Sequence, residues 1–237
     1  MKNNIYTTEN RIRFSEIDHT KKITIPGIIN YFQDCSIYHS EEVGLGFEYL
    51  EEHKRAWILS SWLIDIHRYP VMGENIRVST WATEFKGIFG NRNFCMWDEA
   101  GEITACANSL WVYMDIEKGR PTKPNQMEMD AYGTSEPLEM EAVSRKIELP
   151  EKMKELASFP VKRYHIDTNE HVNNCQYVQM AQEALDREMP VKRVRAEYKK
   201  SAVYKDIIVP KVGIEADRTV VELCDEAGKA YAVVEFV

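Results

Sequence analysis

The stretch Ile166-Asp167-Thr168-Asn169-Glu170-His171-Val172-Asn173-Asn174 decides the fold, because its plan occurs twice in the chain. An Ile-Asp pair leads through a polar turn to an apolar residue five positions after the Asp, and an apolar helical run follows. The earlier copy begins at Ile17-Asp18 and reaches its apolar residue at Ile23. A plan repeated at this length predicts two related structural units in one chain.

Each copy predicts one mostly buried helix followed by strands. In the first copy, Pro26 stands near the start of the helix and Gly44 past its end, as is typical of helix termini. In the second copy, the apolar run 177–185 is closed by Pro190. The predicted strands are 57–67, 75–86, 89–98 and 102–115 after the first helix, and 194–204, 207–217, 218–224 and 229–237 after the second.

This order of elements predicts an α+β fold with two tandem antiparallel sheets, each wrapped around a central helix. We expect the N-terminal domain over residues 1–125 and the C-terminal domain, which carries the quoted motif, over residues 159–237. Residues 126–158 between them are rich in Pro, Met and Glu. That composition predicts a linker, with some helix near 148–157.

Asp167, Asn169 and His171 place a carboxylate, an amide and an imidazole at every second position just before the second helix. A carboxylate can accept a proton, an amide can orient water or a carbonyl, and a neutral imidazole can do both. The N–H groups at the start of the following helix would favour a developing oxyanion. The same residue types are also ordinary cap and turn residues, so the spacing alone leaves a purely structural role open.

The two copies differ at these positions. When they are aligned on the aspartate, Thr20 aligns with Asn169 and Lys22 aligns with His171. Only the second copy carries all three functional groups, which predicts one active site per chain.

Composition narrows the class of protein. A formal net charge of −8 disfavours non-specific nucleic-acid binding, which needs a basic surface. The sequence shows neither a secretory signal nor an apolar window long enough to cross a bilayer, so we expect a cytoplasmic protein without membrane contact. The five cysteines are scattered and form no C-x-x-C pair, which favours neither a disulfide framework nor a metal site.

One basic cluster departs from the acidic balance, with a local excess of five positive charges over residues 187–205. Its cations are Arg187, Lys192, Arg193, Arg195, Lys199, Lys200 and Lys205. Alternation with apolar residues favours a solvated strand face, and a docking patch for an acidic partner stays open.

All five tryptophans lie in the first half, where they could line an apolar tunnel or fill a β core.

The chain resembles the acyl-acyl-carrier-protein (acyl-ACP) thioesterases, double hot-dog enzymes of plant plastids and bacteria. The resemblance lies in the repeat, in Asp167-x-Asn169-x-His171-Val172-Asn173-Asn174-x-x-Tyr177 and in Glu197-Tyr198-Lys199-Lys200. It implies hydrolysis of the thioester that joins a fatty acyl chain to acyl carrier protein, without metal or cofactor. Because such carriers are acidic, it also gives Arg195, Lys199 and Lys200 an implied role in carrier binding.

The chain departs from the plant members of this family in one place. There the Glu-Tyr-basic-basic segment continues with Glu and Cys, whereas Ser201 and Ala202 follow here, which excludes a cysteine nucleophile at that position. Ser201 can orient a water but cannot readily remove its proton, so the base would be His171 or Asp167. Cys175 is a second candidate nucleophile, although a small buried helix residue is its simpler interpretation.

Three other functions stay open. An acyl-CoA thioesterase shares the chemistry and differs in the carrier, and a hot-dog hydratase or dehydratase also uses His and Asp. A non-enzymatic acyl-chain binder would explain the apolar helices but leave Asn169 and His171 idle. The internal repeat supplies the pairing that single hot-dog proteins obtain by dimerising, yet a homodimer of the whole chain stays open.

Overall fold

The computed structural model describes residues 4–185 and 191–237, and the chain divides into two compact units. Unit 1 comprises Met1–Ser60 and Ile66–Glu141, and unit 2 comprises Ser61–Asp65 and Ala142–Val237. Each unit combines antiparallel strands with one main helix, which confirms the α+β class and the twofold occurrence of the plan. None of the helices that the structure describes has both the length and the apolar character that a membrane span requires.

The two main helices and the eight long strands that the sequence predicted occur in the predicted order, and the described residues add an N-terminal strand, two short helices and three two-residue strands. The helices are α1 (Ile25–Glu42), α2 (Phe47–Glu52), α3 (Gln126–Tyr132) and α4 (Asn174–Gln182). The first strands are β1 (Tyr6–Arg11), β2 (Arg55–Ile66), β3 (Asn75–Lys86), β4 (Phe89–Trp97), β5 (Ile103–Asp115) and β6 (Arg120–Pro121). The later strands are β7 (Lys154–Glu155), β8 (Phe159–Pro160), β9 (Arg193–Tyr198), β10 (Ile207–Ile214), β11 (Thr219–Cys224) and β12 (Ala230–Phe236).

Unit 1 is built around α1. The Thr24 side chain caps this helix by accepting the N–H of Gly27 at 3.0 Å, and Gly44 follows its end with a φ of 74°. The helix packs against β1 and β3 of a sheet ordered β1-β3-β4-β5-β2. Its buried face includes Ile28, Ile29, Phe32 and Cys35, the apolar run of the first copy.

Unit 2 repeats this arrangement with a shorter helix. Residues Ser61–Asp65 of β2 pair with β9, and β12, β11, β10 and β7 follow in order. Helix α4 packs against β11 and β12 and buries Cys175, Tyr177, Val178, Met180 and Ala181. It ends at Gln182, earlier than the apolar run predicted, and Pro190 lies outside the described residues.

The predicted linker 126–158 is not a separate segment, because both of its halves belong to folded units. Helix α3 starts at the cap Asn125, and its Tyr132 packs with Leu45 and Ala82 in unit 1. Ile147 is buried with Val220 and Val233 in unit 2. The boundary between the units therefore falls at residues 141 and 142.

The predicted helix near 148–157 is wrong. Lys154–Glu155 form strand β7, which pairs with β10, and the N–H of Leu156 donates to the carbonyl of Pro210 at 2.8 Å. Pro150 lacks an N–H and disfavours a helical conformation in the residue before it. Pairing with the edge of the sheet thus outweighs the helix-forming Glu and Lys residues of this segment.

Candidate active site

Asp167 organises the loop that precedes α4. Its Oδ1 accepts the backbone N–H of Asn169 at 2.8 Å and that of His171 at 3.4 Å. Its own N–H donates to the carbonyl of His171 at 2.8 Å, and Glu170 closes the turn with a φ of 61°. Because one carboxylate oxygen holds both neighbours, Asp167 fixes the backbone from which the amide and the imidazole project.

The start of α4 already uses two of its backbone donors. The N–H of Cys175 bonds to the side chain of Asn173, and the N–H of Gln176 bonds to the carbonyl of Asn173, both at 2.9 Å. Of the first-turn donors, the N–H of Asn174 alone has no partner among the residues that the structure describes. The candidate oxyanion donor at this helix start is therefore the N–H of Asn174.

A second segment lies directly beside the loop and brings Ser201 to the site. The N–H of Val172 donates to the carbonyl of Ala202 at 2.9 Å, and His171 forms an antiparallel bridge with Val203. The N–H of Ala202 in turn donates to the hydroxyl of Tyr177 at 2.8 Å. Ser201 is thus held next to the motif through its neighbour.

Two tyrosines support this arrangement, the buried Tyr177 and the half-buried Tyr198, and the sequence alone predicted a role for neither of them. The Tyr198 hydroxyl donates to the carbonyl of Asn174 at 3.0 Å, and its ring lies 5.9 Å from that of Tyr177. Burial raises the pKa of both hydroxyls, that of Tyr177 to about 12, so both remain protonated. The motif spacing contained the signal, since Tyr177 falls on the buried face of α4 and Tyr198 shares one face of β9 with the buried Val194 and Ala196.

Exposure separates the candidate site residues from a buried histidine nearby. Asn169, His171 and Ser201 are exposed and Asp167 is half-buried, so water reaches the proposed chemical groups. His165, in contrast, is buried, and its Nδ1 accepts the N–H of Lys162 at 3.0 Å. Burial first, and the nearby Lys162 charge second, lower the pKa of His165, which therefore stays neutral.

Cys175 does not offer a nucleophile. Its side chain is buried on α4, and burial raises the pKa of the thiol to about 12. The reactive form of cysteine is the thiolate, which is scarce at that pKa.

Across residues 4–185 and 191–237, no group of three or more His, Cys, Asp or Glu side chains is placed to hold a metal ion.

The first copy has the same loop without the same chemistry. Oδ1 of Asp18 accepts the N–H of Thr20 at 2.7 Å, and the N–H of Asp18 donates to the carbonyl of Lys22 at 3.0 Å. Lys21 has a φ of 65°, and Lys22 bridges Val71 as His171 bridges Val203. The alignment of Thr20 with Asn169 and of Lys22 with His171 is therefore confirmed by the hydrogen bonding.

The three cations that the resemblance assigned to carrier binding all have acidic neighbours. Arg195 pairs with Glu235 at 2.7 Å and donates to the carbonyl of Ser144 at 2.6 Å, with 14% of its side chain exposed. Lys199 lies 3.5 Å from a carboxylate oxygen of Glu197, and Lys200 lies 2.9 Å from one of Asp225. Their role in carrier binding stays a prediction, and Arg187 lies outside the described residues.

Two family models cover most of the chain. Residues 3–131 match the acyl-ACP thioesterase N-terminal domain, and residues 148–223 match the acyl-ACP thioesterase C-terminal domain. The border between the two matches falls in the region that contains the unit boundary.

Named relatives agree with the family models. The chain is 24% identical over 218 residues to oleoyl-acyl carrier protein thioesterase 1 of Arabidopsis thaliana, covering 83% of this chain and 60% of that protein. It is 29% identical over 180 residues to a palmitoyl-acyl carrier protein thioesterase of Cuphea hookeriana, covering 70% of this chain and 43% of that protein. The chain thus spans less than two thirds of the length of these relatives.

A solved structure supports the fold. An acyl-ACP thioesterase from Bacteroides thetaiotaomicron superposes with a TM-score of 0.91 at 21% identity, covering 100% of this chain and 98% of that one. At this identity, the likeness shows the hot-dog fold, as expected from the sequence.

Proposed function

The chain belongs to the acyl-ACP thioesterase family, and from this premise we propose that it hydrolyses fatty acyl-ACP to free fatty acid and carrier thiol. One structural observation supports the assignment of this activity to particular residues. An exposed amide and an exposed imidazole stand on a loop held by Asp167, whereas the matching loop of unit 1 carries Thr20 and Lys22.

In the proposed reaction, His171 takes a proton from a water that attacks the thioester carbonyl, and Asn169 orients that water. The oxyanion of the tetrahedral intermediate accepts the N–H of Asn174. When the intermediate collapses, the carbon–sulfur bond breaks and the departing sulfur takes the proton from His171. The products are a fatty acid and a thiol, so one water is consumed and no electrons are transferred.

The loop geometry favours different roles for the two candidate bases, Asp167 and His171. Oδ1 of Asp167 is engaged by two backbone N–H groups, so we assign it the positioning role and assign proton transfer to His171. Ser201, which stands beside the loop, orients the water or the thioester. The acidic carrier would bind near this loop.

The test is a panel of palmitoyl and oleoyl thioesters on carrier protein and on CoA, scored for free thiol. Wild type should release thiol, and His171→Ala and Asn169→Ala should each lose roughly a hundredfold or more in kcat, as expected when a general base or its partner is removed. Lys22→Ala and Thr20→Ala are matched controls from the first copy and should keep wild-type rates. Near wild-type release by both His171→Ala and Asn169→Ala would refute the assignment.

The same panel separates the rival functions. Faster turnover of CoA thioesters than of carrier thioesters at equal acyl length would favour an acyl-CoA thioesterase. An enoyl product without thiol would favour a hydratase or dehydratase, and tight acyl binding without turnover would favour a lipid binder. The cytoplasmic location and the homodimer stay predictions, which fractionation of cells and sedimentation of the pure protein would test.

A further inference from the structure

We propose that unit 2 recognises the acidic surface of the carrier protein with a basic–aromatic patch beside the active-site loop, made of Lys162, Arg163, Tyr164, Tyr204 and Lys205. This inference rests on the proposed function, because it names the surface that would bring the acyl-ACP to the site. It differs from the carrier-binding residues that the family resemblance implied, namely Arg195, Lys199 and Lys200.

The patch is formed by two segments that hydrogen bonds hold together. The N–H of Lys205 donates to the carbonyl of Val161 at 3.1 Å, and the N–H of Val161 donates to the carbonyl of Asp206 at 2.8 Å. The first segment continues through the 3₁₀ turn Arg163–His165 into Asp167, and the second carries Val203, which bridges His171. Both segments therefore border the proposed catalytic loop.

The three cations of the patch are held by aromatic rings. The guanidinium of Arg163 lies 4.8 Å from the centre of the Tyr204 ring, and the ammonium of Lys205 lies 5.4 Å from the same centre. The ammonium of Lys162 lies 6.0 Å from the centre of the Tyr164 ring. Contacts of this kind hold the cation in place, and because the ring is neutral, the positive charge stays available to an anionic partner.

The patch lacks acidic partners of its own. Within the part of the chain that the structure describes, no carboxylate lies within ion-pair distance of Lys162, Arg163 or Lys205, although Arg195, Lys199 and Lys200 each have one. All five residues are exposed, and Tyr164 is 71% exposed. Exposed tyrosine and arginine together are typical of protein interfaces, so this composition favours a protein surface over a single phosphate.

The backbone of Lys205 adds an independent argument. Its φ is 76°, a left-handed conformation that is strained for a residue with a side chain. The matching position of unit 1 is Gly73, with a φ of 84° and an N–H that donates to the carbonyl of Ile12 at 2.9 Å. A lysine therefore occupies a position where glycine fits without strain.

The matching surface of unit 1 shows that the fold does not require these charges. There Phe14 and Met72 stand where unit 2 has Arg163 and Tyr204, and Arg13, which matches Lys162, lies 4.0 Å from Glu16. The patch is thus specific to the unit that carries Asn169 and His171.

The experiment uses the triple variant Lys162→Gln, Arg163→Gln, Lys205→Gly, with steady-state kinetics on one acyl chain carried by ACP or by CoA. We expect KM for acyl-ACP to rise roughly tenfold with kcat retained, because rim charges act mainly on encounter with a charged partner. We expect KM for acyl-CoA to stay within about twofold, and added salt to raise KM for acyl-ACP less in the variant than in wild type. Lys205→Gly replaces a strained residue with glycine, and unfolding curves should show that the triple variant is as stable as wild type.

Two control variants remove charge elsewhere in unit 2. The first, Lys152→Gln, Lys154→Gln, Lys229→Gln, deletes three exposed cations and should keep the wild-type KM. The second, Lys199→Gln, Lys200→Gln, tests the site that the resemblance implied. An unchanged KM for acyl-ACP in the patch variant, an equal rise for acyl-CoA, or an equal rise in either control would overturn the proposal.

Calorimetric titration with holo-ACP keeps this test separate from that of hydrolysis. Binding that the patch variant weakens, in a protein that hydrolyses no thioester, would refute only the proposed function. Binding of equal strength to wild type and patch variant, or absence of binding to wild type, would refute the docking surface.

Discussion

Loop 18–24 of unit 1 and loop 167–173 of unit 2 share their backbone hydrogen bonds but carry different side chains. In both, an aspartate accepts the N–H two residues later, a residue with positive φ closes the turn, and a capping residue starts the helix. Ile17 bridges Ile23, and Ile166 bridges Val172. The shared features are those that the backbone needs, and the differing side chains, such as Lys22 and His171, are those that the backbone leaves free.

Two histidines, one in each unit, differ in their exposure to water. His39 of α1 is buried, accepts a hydrogen bond from Arg92 at 2.9 Å and stacks on Tyr6 with ring centres 5.7 Å apart. His171 is exposed on its loop. Burial makes the first a structural residue, whereas access to water makes the second available for proton transfer.

The largest contrast should come from the two aspartates. Asp167→Ala removes the acceptor that holds Asn169 and His171, so we expect kcat to fall by about ten- to a hundredfold through loss of positioning. Asp18→Ala removes the matching acceptor in unit 1 and should lower the free energy of unfolding by ~1 kcal/mol without changing kcat. Thiol release and urea unfolding measure the two effects.

Asp167→Asn sharpens this contrast, because it keeps an oxygen acceptor but cannot take a proton. If Asp167 acts by positioning, the Asn variant should retain most of the activity that the Ala variant loses. Activity as low in Asn as in Ala, at wild-type stability, would mean that Asp167 and not His171 is the base.

The buried histidine of unit 1 should control part of the pH dependence of stability. Burial first, and the Arg92 charge second, lower the pKa of His39 from 6.5 to about 3. Its stabilising contribution is therefore complete above pH 6.5 and is lost as pH falls toward 3, at no more than about 1.4 kcal/mol per pH unit. His39→Gln keeps an acceptor for Arg92 and should flatten the decline in unfolding free energy between pH 6.5 and pH 4. An unchanged slope would show that other groups cause the decline.

The smallest contrast concerns the helix residue that supports the loop. Tyr177→Phe leaves the buried N–H of Ala202 without its acceptor, which should cost about 1–3 kcal/mol of unfolding free energy and lower kcat a few-fold. The matching residue of unit 1 is the buried Ile28, whose replacement by Val should cost about 1 kcal/mol with kcat unchanged. Wild-type kcat in Tyr177→Phe would show that segment 201–203 does not depend on this bond.

Much of the fold could be predicted from the sequence, because its local signals agree with its packing. Pro26 and Gly44 bracket α1, and strands β3, β4, β5, β10, β11 and β12 lie close to the predicted ranges. Strand β9 ends at Tyr198 instead of residue 204, because the N–H groups of Lys199 and Lys200 both turn to the carbonyl of Tyr231. That acceptor lies on β12, which is adjacent to β9 in the sheet but distant in sequence, so it leaves no local pattern.

The residue types of the candidate site could be predicted from the sequence, but the separate roles of these residues could not. The motif predicted Asp167, Asn169 and His171 as site residues, and the alignment with Thr20 and Lys22 predicted the unit that carries them; both stay predictions. Only the structure shows that Asp167 accepts backbone N–H groups and that Arg195 pairs with Glu235, since the first contact depends on the conformation of the loop and the second on the pairing of β9 with β12.

The most direct test of the account exchanges the differing side chains of the two loops. Asn169→Thr with His171→Lys gives unit 2 the residues that the same backbone already carries in unit 1, and Thr20→Asn with Lys22→His is the reciprocal control. We predict that the first double variant keeps its unfolding temperature within a few degrees and loses at least roughly a hundredfold in kcat/KM for acyl-ACP, while the control keeps both. Wild-type turnover in the first variant, or an equal loss in the control, would contradict the claim that unit 2 alone performs the chemistry.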